Sequence, residues 1–451
     1  MLIGIAVALI LPVVIVAVLN DKTFFKYCQF WRNSDMKLRT TPPISVSMVA
    51  LAGCLCVMLL FSAPSYAQQD SVPNFRFDSG KSALKIPFEL YNNLIFIRTR
   101  VNNSFPLWFL IDTGAEVSVI KQSRAESLGL TFGEKGSTEA SGGSVDFLNV
   151  KGVTLSLPGA YVLEPTVVAF PLESFEPLLG RTADGIIGAD LFNRFVVDID
   201  YGNKTISLYD PKSYRYFGRG EAIPISVKQN SPYVDLLVTQ KGRRTSKGVF
   251  AIDTGSDSTV VLNGPFARTI KFGESNKTIE SSGLGAGGAT KSLIGRIENV
   301  TLGRYVIQKP LVRVSEDEKG ELASAEFSGL IGGELLRRFR VIFDYGNGIM
   351  ILESNEHLAE PDEFDMSGIT FSYESPGFEI LKVDGVRKNS PATRAGLAAG
   401  DIVTAIDGKP ASKYNTNQLR KMFRQNGRRL LLEIRRGNKL FRTGILLRRL
   451  V

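Results

Sequence analysis

Two Asp-Thr-Gly triplets, Asp112–Gly114 and Asp253–Gly255, are the residues of this chain best suited to chemistry. Each triplet follows one apolar run and precedes another, so each aspartate is expected at the tip of a β-strand. Two carboxyl groups held close together cannot both ionise cheaply, and one of them therefore keeps its proton. Such a pair can activate water and polarise a carbonyl oxygen at the same time. We assign these two roles to Asp112 and Asp253; the sequence leaves open which of them is protonated.

The two triplets belong to a longer internal repeat. Two further blocks recur in the same order: Asp184–Leu191 as Ser328–Leu335, and Phe195–Asn203 as Phe339–Asn347. The triplets lie 141 residues apart and the later blocks 144 residues apart, so the copies differ by a small insertion. A repeat of this length is far longer than that of a solenoid. It predicts two similar lobes, roughly residues 75–210 and 218–354.

This arrangement resembles the retropepsin-like aspartyl proteases, in which a catalytic triplet and a downstream apolar-apolar-Gly segment build each half of the site. Both half-sites lie in one chain here, as in pepsin; Ala115 follows the retroviral pattern and Ser256 the pepsin pattern. The resemblance implies a mostly β fold of two tandem lobes that form a pseudo-dimer. It also implies an endopeptidase that acts on peptide or unfolded protein substrates, without a cofactor or a metal ion.

The residues beside each aspartate are expected to support it. By the resemblance, the side chains of Thr113 and Thr254 hydrogen-bond to the opposite loop and lock the two loops together. Gly114 and Gly255 allow backbone amides to approach the carboxylates, because a Cβ atom would intrude there.

The downstream repeat and two Gly-rich segments complete the expected site. Gly188 and Gly332 are close-packing glycines, which in the family let the chain pass tightly under the catalytic loop. The segments Ser137–Phe147 and Ser281–Leu293 are predicted to form flap hairpins. Both lack the tyrosine of pepsin-type flaps, which favours the retropepsin-like branch.

Composition argues against several other kinds of site. The single histidine, His357, lies in a polar stretch and is interpreted as a solvated linker residue, which argues against Ser-His-Asp, Cys-His and histidine-rich zinc sites. The three cysteines, Cys28, Cys54 and Cys56, all lie in the first 56 residues, so the rest of the chain has neither a disulfide nor a thiol nucleophile. The Gly-rich run Gly283–Gly288 lacks the Lys-Ser/Thr ending of a phosphate-binding loop.

The first 67 residues contain two apolar runs. Residues 1–35 include Leu2–Leu19, which is just long enough to span a bilayer. Residues 36–67 have a charged start, an apolar core and small residues before the Ala67–Gln68 bond, the pattern of a secretory signal peptide. Either translation starts at Met36 and residues 1–35 are a misassigned extension, or Leu2–Leu19 is a membrane anchor. Both interpretations predict export, to a bacterial periplasm or to the outer face of the inner membrane.

The C-terminal residues 368–451, after a polar linker at 355–367, resemble a PDZ domain. The resemblance depends on an ordered set of short motifs: Ser390–Ala392, Ala395–Leu397, Gly400–Val403 and Ile406–Gly408. It implies an α+β module in which Pro376, Gly377 and Phe378 form a carboxylate-binding loop beside an exposed strand edge. A peptide C-terminus could bind there by strand addition. The alternative is a structural domain whose groove is occluded.

The module is strongly basic, with 17 Lys and Arg against 5 Asp and Glu in residues 377–451. This charge favours acidic peptide tails or an anionic membrane surface, although an ordinary solvated face explains much of it. Export argues against a nucleic-acid partner. Because a short tether gives a bound peptide a local concentration of roughly millimolar, we expect the module to recruit a substrate or regulator. Deletion from about Ser367 onward is then expected to leave hydrolysis of short peptides largely intact.

The sequence thus predicts an exported aspartic endopeptidase with a PDZ module. The alternative from another class is a non-catalytic exported peptide-binding scaffold with degenerate protease lobes. The two hypotheses differ in geometry: an enzyme requires the carboxyl groups of Asp112 and Asp253 within hydrogen-bonding reach of each other or of a shared water.

Overall fold

The structure, a computed structural model, describes residues 74–242, 244–274 and 277–451. The predicted N-terminal apolar segment and signal peptide, residues 1–35 and 36–67, lie outside the described residues. Within the described ranges, no helix is both long enough and apolar enough to cross a membrane. The described chain is mostly β, as predicted.

Lobe 1 is built almost entirely of strands. These are β1 (Phe75–Phe77), β2 (Ser82–Pro87), β3 (Glu89–Tyr91), β4 (Leu94–Val101), β5 (Leu107–Ile111), β6 (Ser118–Lys121), β7 (Thr131–Ala140), β8 (Gly143–Lys151), β9 (Thr154–Leu157), β10 (Ala160–Leu163), β11 (Val167–Phe170), β12 (Gly185–Ile187), β13 (Val196–Asp200) and β14 (Thr205–Tyr209). Its short helices are α1 (Gln122–Ser127), α2 (Glu176–Leu179) and α3 (Ala189–Phe192).

Lobe 2 repeats this plan. Its strands are β15 (Glu221–Pro224), β16 (Ser226–Lys228), β17 (Ser231–Thr239), β18 (Ser246–Asp253), β19 (Val260–Leu262), β20 (Ile279–Gly285), β21 (Gly288–Arg296), β22 (Asn299–Leu302), β23 (Tyr305–Gln308), β24 (Leu311–Ser315), β25 (Gly329–Gly332), β26 (Phe339–Asp344) and β27 (Ile349–Ser354). Its helices are α4 (Gly264–Thr269), α5 (Gly333–Leu336) and a 3-10 turn at Glu321–Ala323.

The two triplets occupy equivalent places in the two lobes. In lobe 1, β5 pairs in parallel with β12, so that Ile111 lies beside Ile187 and Asp112 follows directly. In lobe 2, β18 pairs in parallel with β25, which places Asp253 beside Gly332. The next strands, β6 and β19, run antiparallel to β12 and β25. In each lobe the strand that leads into the triplet pairs in parallel with the strand of the downstream glycine block. This pairing explains why the two blocks recur in the same order.

A six-stranded sheet joins the two lobes. Its order is β15-β27-β26-β13-β14-β2, and β13 and β26, from different lobes, pair at its centre. Arg340 spans this pair with a bidentate contact to the buried carboxylate of Asp198, with Nε–Oδ1 at 2.9 Å and Nη2–Oδ2 at 2.6 Å. One continuous apolar core extends through both lobes. The lobes therefore fold against each other rather than as separate bodies.

The C-terminal domain has a sheet and a core of its own. Its strands are β28 (Ile369–Tyr373), β29 (Leu381–Val386), β30 (Ile402–Ile406), β31 (Lys409–Pro410), β32 (Arg429–Arg436) and β33 (Lys439–Leu446), and its helices are α6 (Pro391–Arg394) and α7 (Thr416–Phe423). Helix α7 begins with a capping box, in which Asn415 and Gln418 each bond the other's backbone amide. Leu419 and Phe423 on α7 are buried in the separate core of this domain.

Residues 355–367, predicted as a linker, bind along lobe 2. The buried guanidinium of Arg338 donates to the carbonyl oxygens of Leu358 (3.2 Å) and Glu360 (2.6 Å). The carboxylate of Asp362, also buried, accepts the amide of Leu311 at 2.9 Å. Backbone carbonyls and the carboxylate of Asp362 in this segment thus satisfy buried groups of lobe 2. The C-terminal domain is consequently attached by an anchored segment and not by a free one.

Candidate active site

The two triplet loops lock each other through four hydrogen bonds. The amide of Thr113 donates to Oγ1 of Thr254, and the amide of Thr254 donates to Oγ1 of Thr113, both at 3.0 Å. Each hydroxyl then donates onward to the opposite strand, Thr113 to the carbonyl of Ile252 (2.6 Å) and Thr254 to that of Ile111 (2.9 Å). Both threonines are fully buried. The geometry matches the cross-loop contact that the resemblance implied.

The glycine after each threonine lies directly against the opposite carboxylate. An ideal Cβ atom on Gly114 would lie 2.9 Å from Oδ1 of Asp253, and one on Gly255 would lie 2.6 Å from Oδ1 of Asp112. The amide of each glycine also donates at 2.8 Å to the aspartate of its own triplet. A side chain at either position would therefore push the carboxylates apart.

The downstream glycines, Gly188 and Gly332, pack closely against the two triplet loops. An ideal Cβ atom on Gly188 would lie 2.5 Å from the carbonyl oxygen of Val117, and one on Gly332 would lie 2.5 Å from that of Ser258. The two close-packing positions predicted from the repeat thus lie tightly under the two triplet loops.

The carboxyl groups of Asp112 and Asp253 share a hydrogen bond. Burial raises the pKa of Asp253 well above its usual value, and the charge of Asp112, the shared hydrogen bond and the nearby Glu321 raise it further. Two carboxyl groups in hydrogen-bonding contact hold one proton between them.

Hydrogen bonds oppose the effect of burial at both carboxyl groups. At Asp112 the amides of Gly114, Ala115 and Gly255 lower the raised pKa, and at Asp253 the amide of Gly255 does so. Hydrogen bonds donated to a carboxylate stabilise its charged form. Each triplet loop thus supplies an amide that can stabilise an ionised carboxylate, and the pair shares one proton.

Two flap hairpins, β7–β8 and β20–β21, meet at their tips. The amide of Gly287 donates to the carbonyl oxygen of Ser141 at 2.8 Å. Gly142 has a φ of +90°, and an ideal Cβ atom on it would lie 2.6 Å from the carbonyl oxygen of Gly288. Glycine at these positions is what allows the two backbones to touch.

The family comparisons agree with this geometry. Residues 97–191 and 238–335 match the family model described as aspartyl protease, and residues 382–436 match that of the PDZ domain. No match to the chain was found among curated protein sequences. The chain carries two retropepsin-like aspartyl protease lobes and a PDZ domain. The family resemblance and the mostly β fold class predicted from the sequence are confirmed.

Within the described part of the protease lobes and PDZ domain, no group of His, Cys, Asp and Glu side chains is arranged to hold a metal ion.

The PDZ residues predicted to bind a carboxylate lie in the turn of a hairpin. Pro376, Gly377 and Phe378 form the tip of the hairpin between β28 and β29, and the amide of Phe378 already donates to the carbonyl oxygen of Glu374 at 2.8 Å. A carboxylate loop needs free amides. At the opposite end of β28, the amides of Ser367 and Gly368 both donate to the carboxylate of Asp365, which precedes this strand in the sequence. The hydrogen bond to Glu374 occupies the amide of Phe378, and a carboxylate-binding role for Pro376, Gly377 and Phe378 stays a prediction.

Two glutamates that sequence reasoning missed lie near the carboxyl pair. Burial raises the pKa of Glu321, and the charges of Asp112 and Glu116 raise it further. The preceding residue, Gly320, lies against Ala140 in the first flap. Glu116 could have been found, since it stands four residues after Asp112. Glu321 lies outside the repeated blocks, at the start of the 3-10 turn Glu321–Ala323.

The counterpart of Glu116 in the second loop is Asp257, which a PDZ residue contacts. Nη1 of Arg420 donates to Oδ2 of Asp257 at 2.7 Å. Burial alone would raise the pKa of Asp257, but the charges of Arg420 and Arg313 outweigh it and hold the pKa below its usual value. No sequence signal connected the PDZ domain with the second catalytic loop.

Proposed function

We propose that this protein is an aspartic endopeptidase that hydrolyses peptide bonds in peptides or unfolded proteins. The observation that carries the proposal is the hydrogen-bonded pair of half-buried carboxyl groups, Asp112 and Asp253, at the junction of two matched loops. A scaffold without catalytic activity gains nothing from two such groups, because bringing them together opposes their ionisation. The geometry therefore favours an enzyme over the non-catalytic alternative.

The mechanism needs one ionised and one protonated carboxyl group, and we write it with the proton on Asp253. Ionised Asp112 accepts a proton from a water molecule between the carboxyl groups while the water oxygen attacks the peptide carbonyl carbon. Asp253 donates its proton to the carbonyl oxygen, so no full oxyanion forms. In the second half, Asp112 passes its proton to the amide nitrogen as the C–N bond breaks. Asp253 takes a proton from a hydroxyl of the gem-diol as the carbonyl forms again, and the pair again holds a single proton.

The flaps and the glycines define where the substrate lies. An extended peptide fits between the flap tips and the carboxyl pair, and closing the flaps over it excludes bulk water from the reaction. Because Gly114 and Gly255 carry no side chain, the carboxyl groups and the scissile bond can approach closely.

The test is replacement of each carboxyl group by an amide. Asp112→Asn and Asp253→Asn are each expected to lower kcat for an unfolded protein and for a short peptide by about a thousandfold or more, as loss of general acid–base catalysis does. The exposed Asp235→Asn, whose carboxylate pairs with Lys247 on the surface, is the matched control. Full activity in either dyad variant that keeps its fold would exclude a shared catalytic pair.

We also propose that the enzyme is exported, from the signal-like pattern of residues 36–67. Cell fractionation and N-terminal sequencing of the mature protein test this directly. A mature chain that starts at Gln68 and is absent from the cytoplasm is expected. A cytoplasmic chain that retains residues 36–67 would refute export.

A further inference from the structure

Helix α7 of the PDZ domain docks against both protease lobes through one face. Asn417 accepts the amide of Asn92 at 2.7 Å and donates to the carbonyl oxygen of Leu90 at 2.8 Å, both in lobe 1. Arg420 and Arg424 turn instead to lobe 2. Spacings of three and four residues place these side chains on the same side of the helix.

The two arginines hold two segments of the second half-site. Arg420 binds Asp257, four residues after Asp253, at 2.7 Å. Arg424 binds the buried carboxylate of Glu334, two residues after Gly332, at 3.0 Å.

A residue of lobe 1 reaches the same two segments. Nδ2 of Asn93 donates to the carbonyl oxygen of Asp257 at 3.1 Å and to Oε2 of Glu334 at 2.9 Å. The catalytic loop, its supporting segment, lobe 1 and the PDZ domain thus share one polar network.

The same docking closes the strand edge where a PDZ domain would take a peptide. Strand β28 is at the edge of its sheet, with β29 as its strand neighbour. An extended peptide would add along that edge. Helix α2 of lobe 1 packs there instead: Oγ1 of Thr416 donates to the carbonyl oxygen of Leu179 at 2.8 Å. An ideal Cβ atom on Gly180 would lie 2.8 Å from both Oγ1 of Thr416 and the ring of Tyr373.

The start of this edge strand is also occupied from within the chain. The side chain of Asp365 accepts the amides of Ser367 (3.1 Å) and Gly368 (2.6 Å). A peptide carboxylate at these amides would have to displace Asp365, and the peptide's upstream residues would have to displace α2.

We propose that the PDZ domain is a built-in brace of the active site. The lobe 1 segment Glu176–Gly180 is the resident occupant of its strand edge, and Arg420 and Arg424 are positioning residues for the second half-site. This proposal rests on the proposed protease function and replaces the recruiting role expected from the sequence. It also reverses the expected outcome of deleting the domain, since removal of Arg420 and Arg424 leaves Asp257 and Glu334 without these partners.

The first test separates positioning from general stability. Arg420→Ala is expected to lower kcat for a short peptide by about tenfold to a hundredfold, the effect of one lost charge-assisted hydrogen bond, with little change in KM. Arg420→Lys keeps one donor and the charge and is expected to restore most of the activity. Lys421→Ala, the exposed neighbour on the same helix, is the control. An unchanged kcat in Arg420→Ala, or a loss that lysine does not restore, would overturn the positioning role.

The second test locks the docked arrangement. Gly180→Cys with Thr416→Cys places a new Cβ atom 2.8 Å from the position of the partner sulfur, close to the roughly 3 Å that a disulfide with an S–S bond of about 2.05 Å requires. Cys28, Cys54 and Cys56 are replaced by Ser, and Gly180→Cys alone controls for the φ of +68° at that position.

If the PDZ domain is a brace, reduction of the engineered disulfide leaves kcat/KM unchanged for a short peptide. It also leaves kcat/KM unchanged for an unfolded protein. Loss of protein turnover that reductant restores would show that the domain must open, and would overturn the proposal. Failure of the disulfide to form under oxidising conditions would count against the docked contact itself.

A third measurement does not depend on catalysis. In the Asp112→Asn background, Arg420→Ala is expected to increase hydrogen exchange at the amides of residues 254–258, and Lys421→Ala is not. If no variant cleaves any substrate but exchange rises as expected, the protease function fails and the brace stands. If cleavage occurs and exchange is unchanged, the brace fails alone.

Discussion

The two catalytic loops share a sequence frame but differ in the residue four positions after each aspartate. Glu116 in the first loop forms no side-chain hydrogen bond or ion pair with any described residue, and burial raises its pKa. Asp257 in the second loop is bound by Arg420, and its pKa is lowered. Lobe duplication therefore gives matching backbones and unequal electrostatics.

This difference shows how a third domain breaks the symmetry of a duplicated site. The PDZ domain places arginines beside the second loop, while the first loop faces Glu321 without a compensating cation that the structure describes. The inequality extends to the carboxyl pair, because Glu321 contributes to the raised pKa of Asp253. Substitutions at matched positions of the two loops test this difference.

The largest effect is expected at the glycines. Gly255→Ala brings a methyl group 2.6 Å from Oδ1 of Asp112, and Gly114→Ala brings one 2.9 Å from Oδ1 of Asp253. Since misplacement of reacting groups by about 1 Å can cost roughly a hundredfold in rate, Gly255→Ala should lower kcat/KM by about a hundredfold or more and Gly114→Ala by less. Circular dichroism controls for folding. Equal rates in both variants would mean that the loops tolerate a methyl group equally.

The threonine lock should instead respond symmetrically. Thr113→Val and Thr254→Val each remove a hydroxyl that accepts a buried amide and donates to a buried strand. Each is expected to lower the free energy of unfolding by about 2–3 kcal/mol, because unpaired buried groups cost about 1–3 kcal/mol. Urea unfolding measures the loss, and Thr→Ser at each position, which keeps the hydroxyl, is the control. A large difference between the two valine variants would contradict a symmetric lock.

The residues after the triplets should respond unequally. Asp257→Asn removes the carboxylate that Arg420 binds and is expected to lower kcat for a short peptide by about tenfold, the effect of a weakened charge-assisted hydrogen bond. Glu116→Gln removes no described contact and should change kcat less than about twofold. Steady-state kinetics on both variants provides the comparison. A greater loss in Glu116→Gln would reverse the proposed asymmetry.

The smallest effect is a shift in the pH profile of Glu321→Gln. Activity requires Asp253 to keep its proton, so activity falls as pH rises through the raised pKa of Asp253. The negative charge of Glu321 contributes to that rise, and its removal lowers the pKa of Asp253. The alkaline limb of kcat/KM should therefore move to lower pH, which a rate profile of both enzymes measures. An unchanged limb, or one moved to higher pH, would exclude this influence of Glu321.

The features of the two repeated lobes could be predicted from local sequence patterns. The triplets, the apolar strands and the close-packing Gly188 and Gly332 are local patterns, and a duplicated pattern specifies the same local structure twice. The roles of Gly114 and Gly255 also followed, because the need for space beside a carboxylate can be deduced from residue type alone.

Features that depend on contacts between distant segments could be seen only in the folded structure. Arg420 and Asp257 are 163 residues apart in sequence, and nothing in either local pattern marks the other. The same holds for the linker, whose backbone carbonyls proved to be partners of the buried Arg338 in lobe 2. The protonation of the carboxyl pair depends on several amides and charges acting together on Asp112 and Asp253. Electrostatic effects of this kind depend on distance and burial, which only the folded chain defines.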